Sequence, residues 1–155
     1  TSDSTKEPDI VVLKGFDTPT LISETKNFPL PSITIIEIKR PHRDNYKSGE
    51  DFDPIEQALM YVDRIREGKA QTDNGRNIPK SVGIPGFCYI VADLTPSLVK
   101  RCEYLSLQVT SDQLGYFGYH RSYQTYIEVY SYDRIIKEAK ERNRAFFDKL
   151  GLPCN

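Results

Sequence analysis

The chain has 155 residues, of which 38% are hydrophobic and 28% charged, and its formal net charge is −1. This length suits one domain with a single core, and the composition is typical of an ordinary globular protein. The near-neutral charge argues against a dedicated, non-specific nucleic-acid-binding module, which is usually strongly basic. No apolar run approaches the roughly 20 residues that span a bilayer, so we expect no membrane contact.

The ends of the chain and its cysteines bear on its context. The first residue is Thr1 rather than Met, and the polar opening has no apolar core of a secretory signal. We therefore expect a fragment of a longer, multidomain protein. Cys88, Cys102 and Cys154 are an odd number without metal-type spacing, so neither a disulfide framework nor a zinc site is predicted. A reducing, cytoplasmic setting is the simpler interpretation.

Two strands are predicted first, at residues 9–13 and 33–39, and they would be antiparallel if they form a hairpin. Isoleucines occupy both faces of the second strand, which is typical of a strand covered on both sides. Glu37 and Lys39 share one face of that strand because successive side chains alternate. A charge in such a position is costly unless it is paired or holds a metal.

A helix is predicted next, with Asp53 as its N-cap, Pro54 in its first turn and Gly68 at its end. The remaining pattern predicts a long loop at residues 69–85, a buried strand at 86–92 and a short helix at 95–105. Two tyrosine-rich strands are predicted at 116–130, followed by a charged amphipathic helix at 131–150. This order favours an α/β (α+β) fold in which a mixed central sheet is flanked by helices and followed by a C-terminal helix.

A possible site lies where the first two strands end. In a hairpin, Asp9 and Glu37 converge at one end of the sheet, with the ammonium group of Lys39 beside them. Carboxylate oxygens suit Mg²⁺, and Mn²⁺ as its substitute, better than a softer metal. A divalent ion there would relieve the carboxylate repulsion, polarise a phosphodiester and lower the pKa of a bound water.

The same residues carry a resemblance. Pro8-Asp9 followed by Glu37-Ile38-Lys39 resembles the signature of the PD-(D/E)xK nuclease superfamily, which has the restriction-endonuclease-like fold. Gln57 and Tyr61 resemble the Q-x-x-x-Y motif of its RecB-type branch. The sequence from Glu37 to Pro41, the helix start and the late tyrosines are similar to Shedu-type anti-phage nuclease domains and to nuclease domains fused to histidine-kinase-like ATPases.

This resemblance implies a single nuclease-like domain, a Mg²⁺-dependent endonuclease acting on DNA in antiviral defence or DNA processing. Asp9, Glu37 and the Ile38 carbonyl would be metal ligands, Lys39 the catalytic lysine, and Gln57 and Tyr61 groups that orient lysine, water or phosphate. A homo-oligomer and a fused upstream domain, an ATPase or another effector, are also expected. Many relatives add an acidic residue from a helix before the first strand, which the Ser/Thr-rich start of this chain does not show.

Contacts with DNA are expected from the basic cluster after the second strand, from the loop at residues 69–85 and from the start of the Gln57 helix. The cluster consists of Arg40, His42, Arg43 and Lys47. Seven of the ten tyrosines lie between Tyr104 and Tyr132; they would stack bases or, in the preferred interpretation, cover a half-buried sheet.

Each motif also has a plainer explanation. An E-x-K motif alone is as well explained by an ion pair on an exposed strand, and Pro-Asp before a strand by a turn. An inactive relative that binds nucleic-acid ends or a protein partner is therefore the alternative function.

Overall fold

The computed structural model describes residues 8–14, 32–71, 75, 78, 80 and 82–151. Its strands are β1 (Ile10–Lys14), β2 (Ser32–Ile38), β3 (Gly86–Val91), β4 (Gln108–Val109), β5 (Gly115–His120) and β6 (Thr125–Tyr130). Its helices are α1 (Pro54–Arg66), α2 (Pro96–Tyr104) and α3 (Tyr132–Leu150).

All six strands belong to one mixed sheet with the order β1-β2-β3-β6-β5-β4. The three central strands, β2, β3 and β6, are parallel to one another. β1 pairs with β2 in the antiparallel sense, as the predicted hairpin requires, and β4 and β5 complete the other side of the sheet. The predicted mixed sheet with flanking helices is thus confirmed. The two-residue β4 was not predicted because its exposed residues show no alternating pattern.

One face of the sheet forms the core. Every second residue of the central strands is buried on this face, beginning with Ile33 and Ile35 in β2. α1 packs on the same face through the apolar stripe that the sequence shows at helical spacing. Because Glu37 follows Ile33 and Ile35 at the same two-residue spacing, its side chain also enters this buried side.

The opposite face of the sheet, which we call the open face, differs from the expectation. Its side chains in β2, β3 and β6 are only half-buried, and several neighbours are exposed. The prediction that β2 is covered on both sides is therefore wrong for the part of the chain that the structure describes. The exposed members are Ile10, Val12, Ile38, Phe117 and Tyr119.

The helix ends follow local chemistry. The Asp53 carboxylate caps α1 by accepting the N–H groups of Ile55 and Glu56, and Gly151 ends α3 in the left-handed conformation with φ of 64°. Thr95 precedes α2 but does not cap it; its hydroxyl donates instead to the carbonyl of Arg43. Within the described residues, no helix is long and apolar enough to cross a membrane.

Candidate functional site

The β1–β2 hairpin brings the two predicted carboxylates to the same end of the sheet. Ile10 is paired with Ile36, so Asp9, one residue earlier, lies level with Glu37, one residue later. The Asp9 carboxylate accepts a hydrogen bond from the backbone N–H of Ile38 at 2.6 Å. Asp9 is thus held against the last residue of β2, although its own side chain remains exposed.

Glu37 carries a buried carboxyl group. Only 1% of its surface is exposed, and one oxygen, Oε2, accepts from the Lys39 ammonium at 2.8 Å. No described group donates to the other oxygen, Oε1. Burial raises the pKa of Glu37, the Lys39 ammonium opposes that rise, and the nearby Asp9 charge adds to it.

A chain of hydrogen bonds links β2 to α1. The Lys39 ammonium contacts Glu37 and also donates to the side-chain carbonyl of Gln57 at 3.0 Å. The Gln57 amide in turn donates to the Tyr61 hydroxyl at 3.2 Å. Gln57 and Tyr61 are four residues apart on one side of α1, so the helix holds both toward the end of β2. The structure therefore joins Glu37, Lys39, Gln57 and Tyr61 in one continuous network.

Of the two network residues on α1, Tyr61 is more deeply buried than Gln57. Its side chain is 3% exposed, and burial raises the pKa of its hydroxyl. The phenol therefore stays protonated at neutral pH. The Gln57 amide nitrogen donates to the Tyr61 hydroxyl, so the amide oxygen faces Lys39. That oxygen holds the Lys39 ammonium beside Glu37.

Whether a metal ion fits this site depends on the ligand atoms that these residues supply. Among the described residues, no group of three or more His, Cys, Asp or Glu side chains is arranged to hold an ion. Asp9 lies level with Glu37 and its charge raises the pKa of the Glu37 carboxyl group, which has one buried oxygen without a donor. Mg²⁺ is often bound by only one or two carboxylates, with water and substrate phosphates as its other ligands. The donor set of Asp9, Glu37 and the backbone of Ile38 is compatible with that pattern.

The basic cluster lies in the loop that follows Lys39. Arg40, His42 and Lys47 are exposed, and the Lys47 ammonium lies 4.1 Å from the centre of the Phe52 ring. Arg43 is half-buried; its guanidinium stacks on Tyr46 and its Nε donates to Asn45. The cluster is therefore adjacent to the site, but Arg43 already has internal partners.

The expected phosphate site at the start of α1 is not free. The Asp53 carboxylate occupies the first N–H groups of the helix and is itself fully buried against Arg101, whose Nε lies 2.5 Å away. A second carboxylate, from Glu56, also binds the Arg101 guanidinium. A phosphate would meet two negative charges there, so this expectation is wrong.

Two further residues support the site and were not assigned to it from the sequence. The Tyr132 hydroxyl, at the start of α3, donates to the Lys39 carbonyl at 2.6 Å. The Asp93 carboxylate accepts the backbone N–H of His42 at 2.5 Å and so anchors the loop after β2. His42 has φ of 61°, a conformation that non-glycine residues adopt rarely without such support. Only the position of Asp93 at the end of a buried strand hinted at this role.

The cysteines offer no alternative chemistry in the described part of the chain. Cys88 and Cys102 are both fully buried in the core. Burial raises the pKa of each thiol to about 12. Neither is therefore a nucleophile at neutral pH. Cys154 lies outside the described residues.

Comparisons with protein-family models, with curated proteins and with solved structures found no match to this chain. The interpretation of the site therefore depends on its own geometry and on the motif resemblance.

Proposed function

We propose that this chain has a restriction-endonuclease-like fold and hydrolyses phosphodiester bonds of DNA with Mg²⁺. The observation that carries the proposal is the meeting of Asp9, Glu37 and Lys39 at one end of the sheet, with Gln57 and Tyr61 attached through hydrogen bonds. Five residues picked by their motif order, from three separate elements, form one contiguous group. A surface ion pair on a strand would explain the contact of Glu37 and Lys39 but none of the others.

In this proposal each group has a role. Asp9, Glu37 and the backbone of Ile38 would hold Mg²⁺, which supplies a Lewis acid for the phosphate and a water of lowered pKa. The Lys39 ammonium, half-buried beside Glu37, would stabilise the negative charge that develops on the phosphate. Gln57 orients that ammonium, and the Tyr61 hydroxyl orients Gln57. Arg40 and His42, which are exposed in the loop after Lys39, would contact the flanking DNA backbone.

A cleavage assay tests the proposal. Linear and plasmid DNA would be incubated with the chain and Mg²⁺, Mn²⁺ or EDTA. We expect metal-dependent cleavage that Glu37→Ala and Lys39→Ala each reduce by about 100-fold or more, because a metal ligand or a charge-stabilising donor is lost. Gln57→Ala should reduce it by roughly 10-fold, since Gln57 acts through Lys39.

Glu103→Ala and Lys100→Ala are matched controls, because they remove the same charges from exposed positions of α2; both should retain full activity. Salt-dependent DNA binding without cleavage, in this chain and in any longer form that adds upstream residues, would identify an inactive nucleic-acid-binding relative. Absence of both binding and cleavage would favour a protein-interaction module.

A further inference from the structure

The helix α3 has an apolar stripe that is exposed in the described structure. It has 19 residues, none of which is buried. Its large hydrophobic residues are 38% to 60% exposed. In proteins, most of the stability of a helix comes from the packing of its amphipathic face. The exposed members of the stripe are Ile135, Ile136, Phe146, Phe147 and Leu150.

The start of α3 is fixed, so the helix leaves the sheet in a set direction. Both the N–H and the hydroxyl of Ser131 donate to the Leu114 carbonyl, and the same hydroxyl accepts the N–H of Arg134. The Arg134 guanidinium stacks on Tyr130 at 4.5 Å and forms an ion pair with Glu128 at 3.3 Å. Ser131 is the one residue between β6 and α3, and these contacts hold the first turn of α3 against the sheet.

The stripe contains the spacing of a coiled coil, with Ile135 and Phe147 beside it at g and e positions. Steps of four and three residues alternate along α3, which gives about two and a half heptads of a and d positions. The residues at those positions are Tyr132, Ile136, Ala139, Asn143, Phe146 and Leu150. Asn143 is the one polar member, and it occupies an a position in the middle of the stripe.

The position of Asn143 selects the partner. An amide buried against an apolar surface loses its hydrogen bonds, which costs about 1–3 kcal/mol. A second α3 in parallel register places Asn143 opposite Asn143, where the two amides bond each other. The same register puts Arg142 of one helix across from Phe147 of the other, where a cation–π contact forms. A second α3 in parallel register satisfies both positions at once.

We propose that α3 pairs with α3 of a second copy in a parallel, two-stranded contact, so that the protein is a homodimer. Because Tyr132 bonds the Lys39 carbonyl, α3 starts at the end of the sheet where Asp9 and Glu37 meet. A parallel pair therefore places both of these ends on the same side of the dimer. If the proposed function holds, two sites then face one duplex, one for each strand. The dimer itself does not depend on that function.

Light scattering and sedimentation equilibrium over a range of chain concentrations test the proposal. We expect a concentration-dependent dimer whose dissociation constant rises about 100-fold or more in Phe146→Asp. Ala145→Asp adds the same charge one residue away, on the outer side of the helix, and should leave the constant unchanged. Asn143→Leu should tighten the dimer by roughly tenfold, because the buried amide costs stability.

Disulfide trapping reports the register. In a Cys154→Ser background, Ala139→Cys lies at a d position and should oxidise to a covalent dimer; Glu141→Cys, on the outer side, should not. A monomer at every concentration would overturn the proposal. So would a dimer that Phe146→Asp leaves intact, since that dimer would use another surface, such as the open face. None of these readouts requires nuclease activity, so a failure of the dimer is distinct from a failure of the proposed function.

Discussion

At the scale of the residue, Glu37 is a carboxyl group in an environment that favours its neutral form. Desolvation outweighs the attraction of Lys39, so the pKa of Glu37 lies above its ordinary value of 4.5. The folded protein therefore binds a proton on Glu37 more tightly than the unfolded chain does. The free energy of unfolding therefore falls as pH rises from the ordinary pKa of Glu37 through its raised value in the folded protein, because the buried carboxyl group becomes ionised over this range.

This gives a prediction for Glu37→Gln in the absence of divalent ions. The wild type should lose stability as pH rises from about 4.5 through the raised pKa of Glu37, and the glutamine variant should lack that loss. The difference in Tm between the variant and the wild type should thus increase with pH over this range. Thermal unfolding followed by circular dichroism at a series of pH values measures it.

Glu103→Gln is the control for that series, because Glu103 is exposed and its removal should not change the slope. A difference between Glu37→Gln and the wild type that stays constant with pH would show that the ion pair with Lys39 cancels the desolvation of Glu37.

Among the helices and strands, α1 is held against the sheet by hydrogen bonds of Arg66 as well as by its apolar stripe. The Arg66 guanidinium is buried and donates to the carbonyls of Ile84, Tyr123 and Gln124. It thereby joins the end of α1 to the segment before β3 and to the β5–β6 turn. Gly86 lies beneath it, where an added Cβ would come within 2.9 Å of Val62 and 2.6 Å of the Thr125 hydroxyl.

Arg66→Met should lower the free energy of unfolding by about 3 kcal/mol, because three buried carbonyls lose their donor. Arg64→Met, two residues earlier, removes the same charge from a half-exposed ion pair with Glu50 and should cost less than about 1 kcal/mol. Urea unfolding of both variants measures the difference. Equal losses would mean that Arg66 acts only through its charge.

The helices and the hairpin were predictable because their signals are local. Asp53 and Pro54 begin α1, Gly151 ends α3, and a run rich in isoleucine defines β2. The partners of Arg66 and Arg101 were not predictable, because each arginine contacts residues 18 to 58 positions away in the chain. Sequence shows that such a residue is charged but not that it is buried.

At the scale of the whole molecule, the sheet has one packed face and one half-covered face. The candidate site was predictable, since the hairpin register alone brings Asp9 level with Glu37. The residues that support the site were not predictable, since Tyr132 lies 93 residues from the carbonyl that it binds. The two-sided cover of β2 was inferred from isoleucines on both of its faces, but apolar residues on a face do not show whether that face is packed. Burial of that face depends on the partner surface rather than on the strand.

The site joins β1, β2 and α1, so an ion bound there should stabilise the whole fold. Mg²⁺ that binds only the folded chain should raise its stability by about 2.7 kcal/mol at 100 times the dissociation constant. We expect a rise in Tm with Mg²⁺ for the wild type that is lost in Asp9→Asn and in Glu37→Gln, because each removes a carboxylate ligand. The rise should also vanish at pH values below the raised pKa of Glu37, where a proton competes with the ion. Glu103→Gln should respond as the wild type does. An equal rise in all four proteins would indicate general screening of charge by salt and would argue against an ion between Asp9 and Glu37.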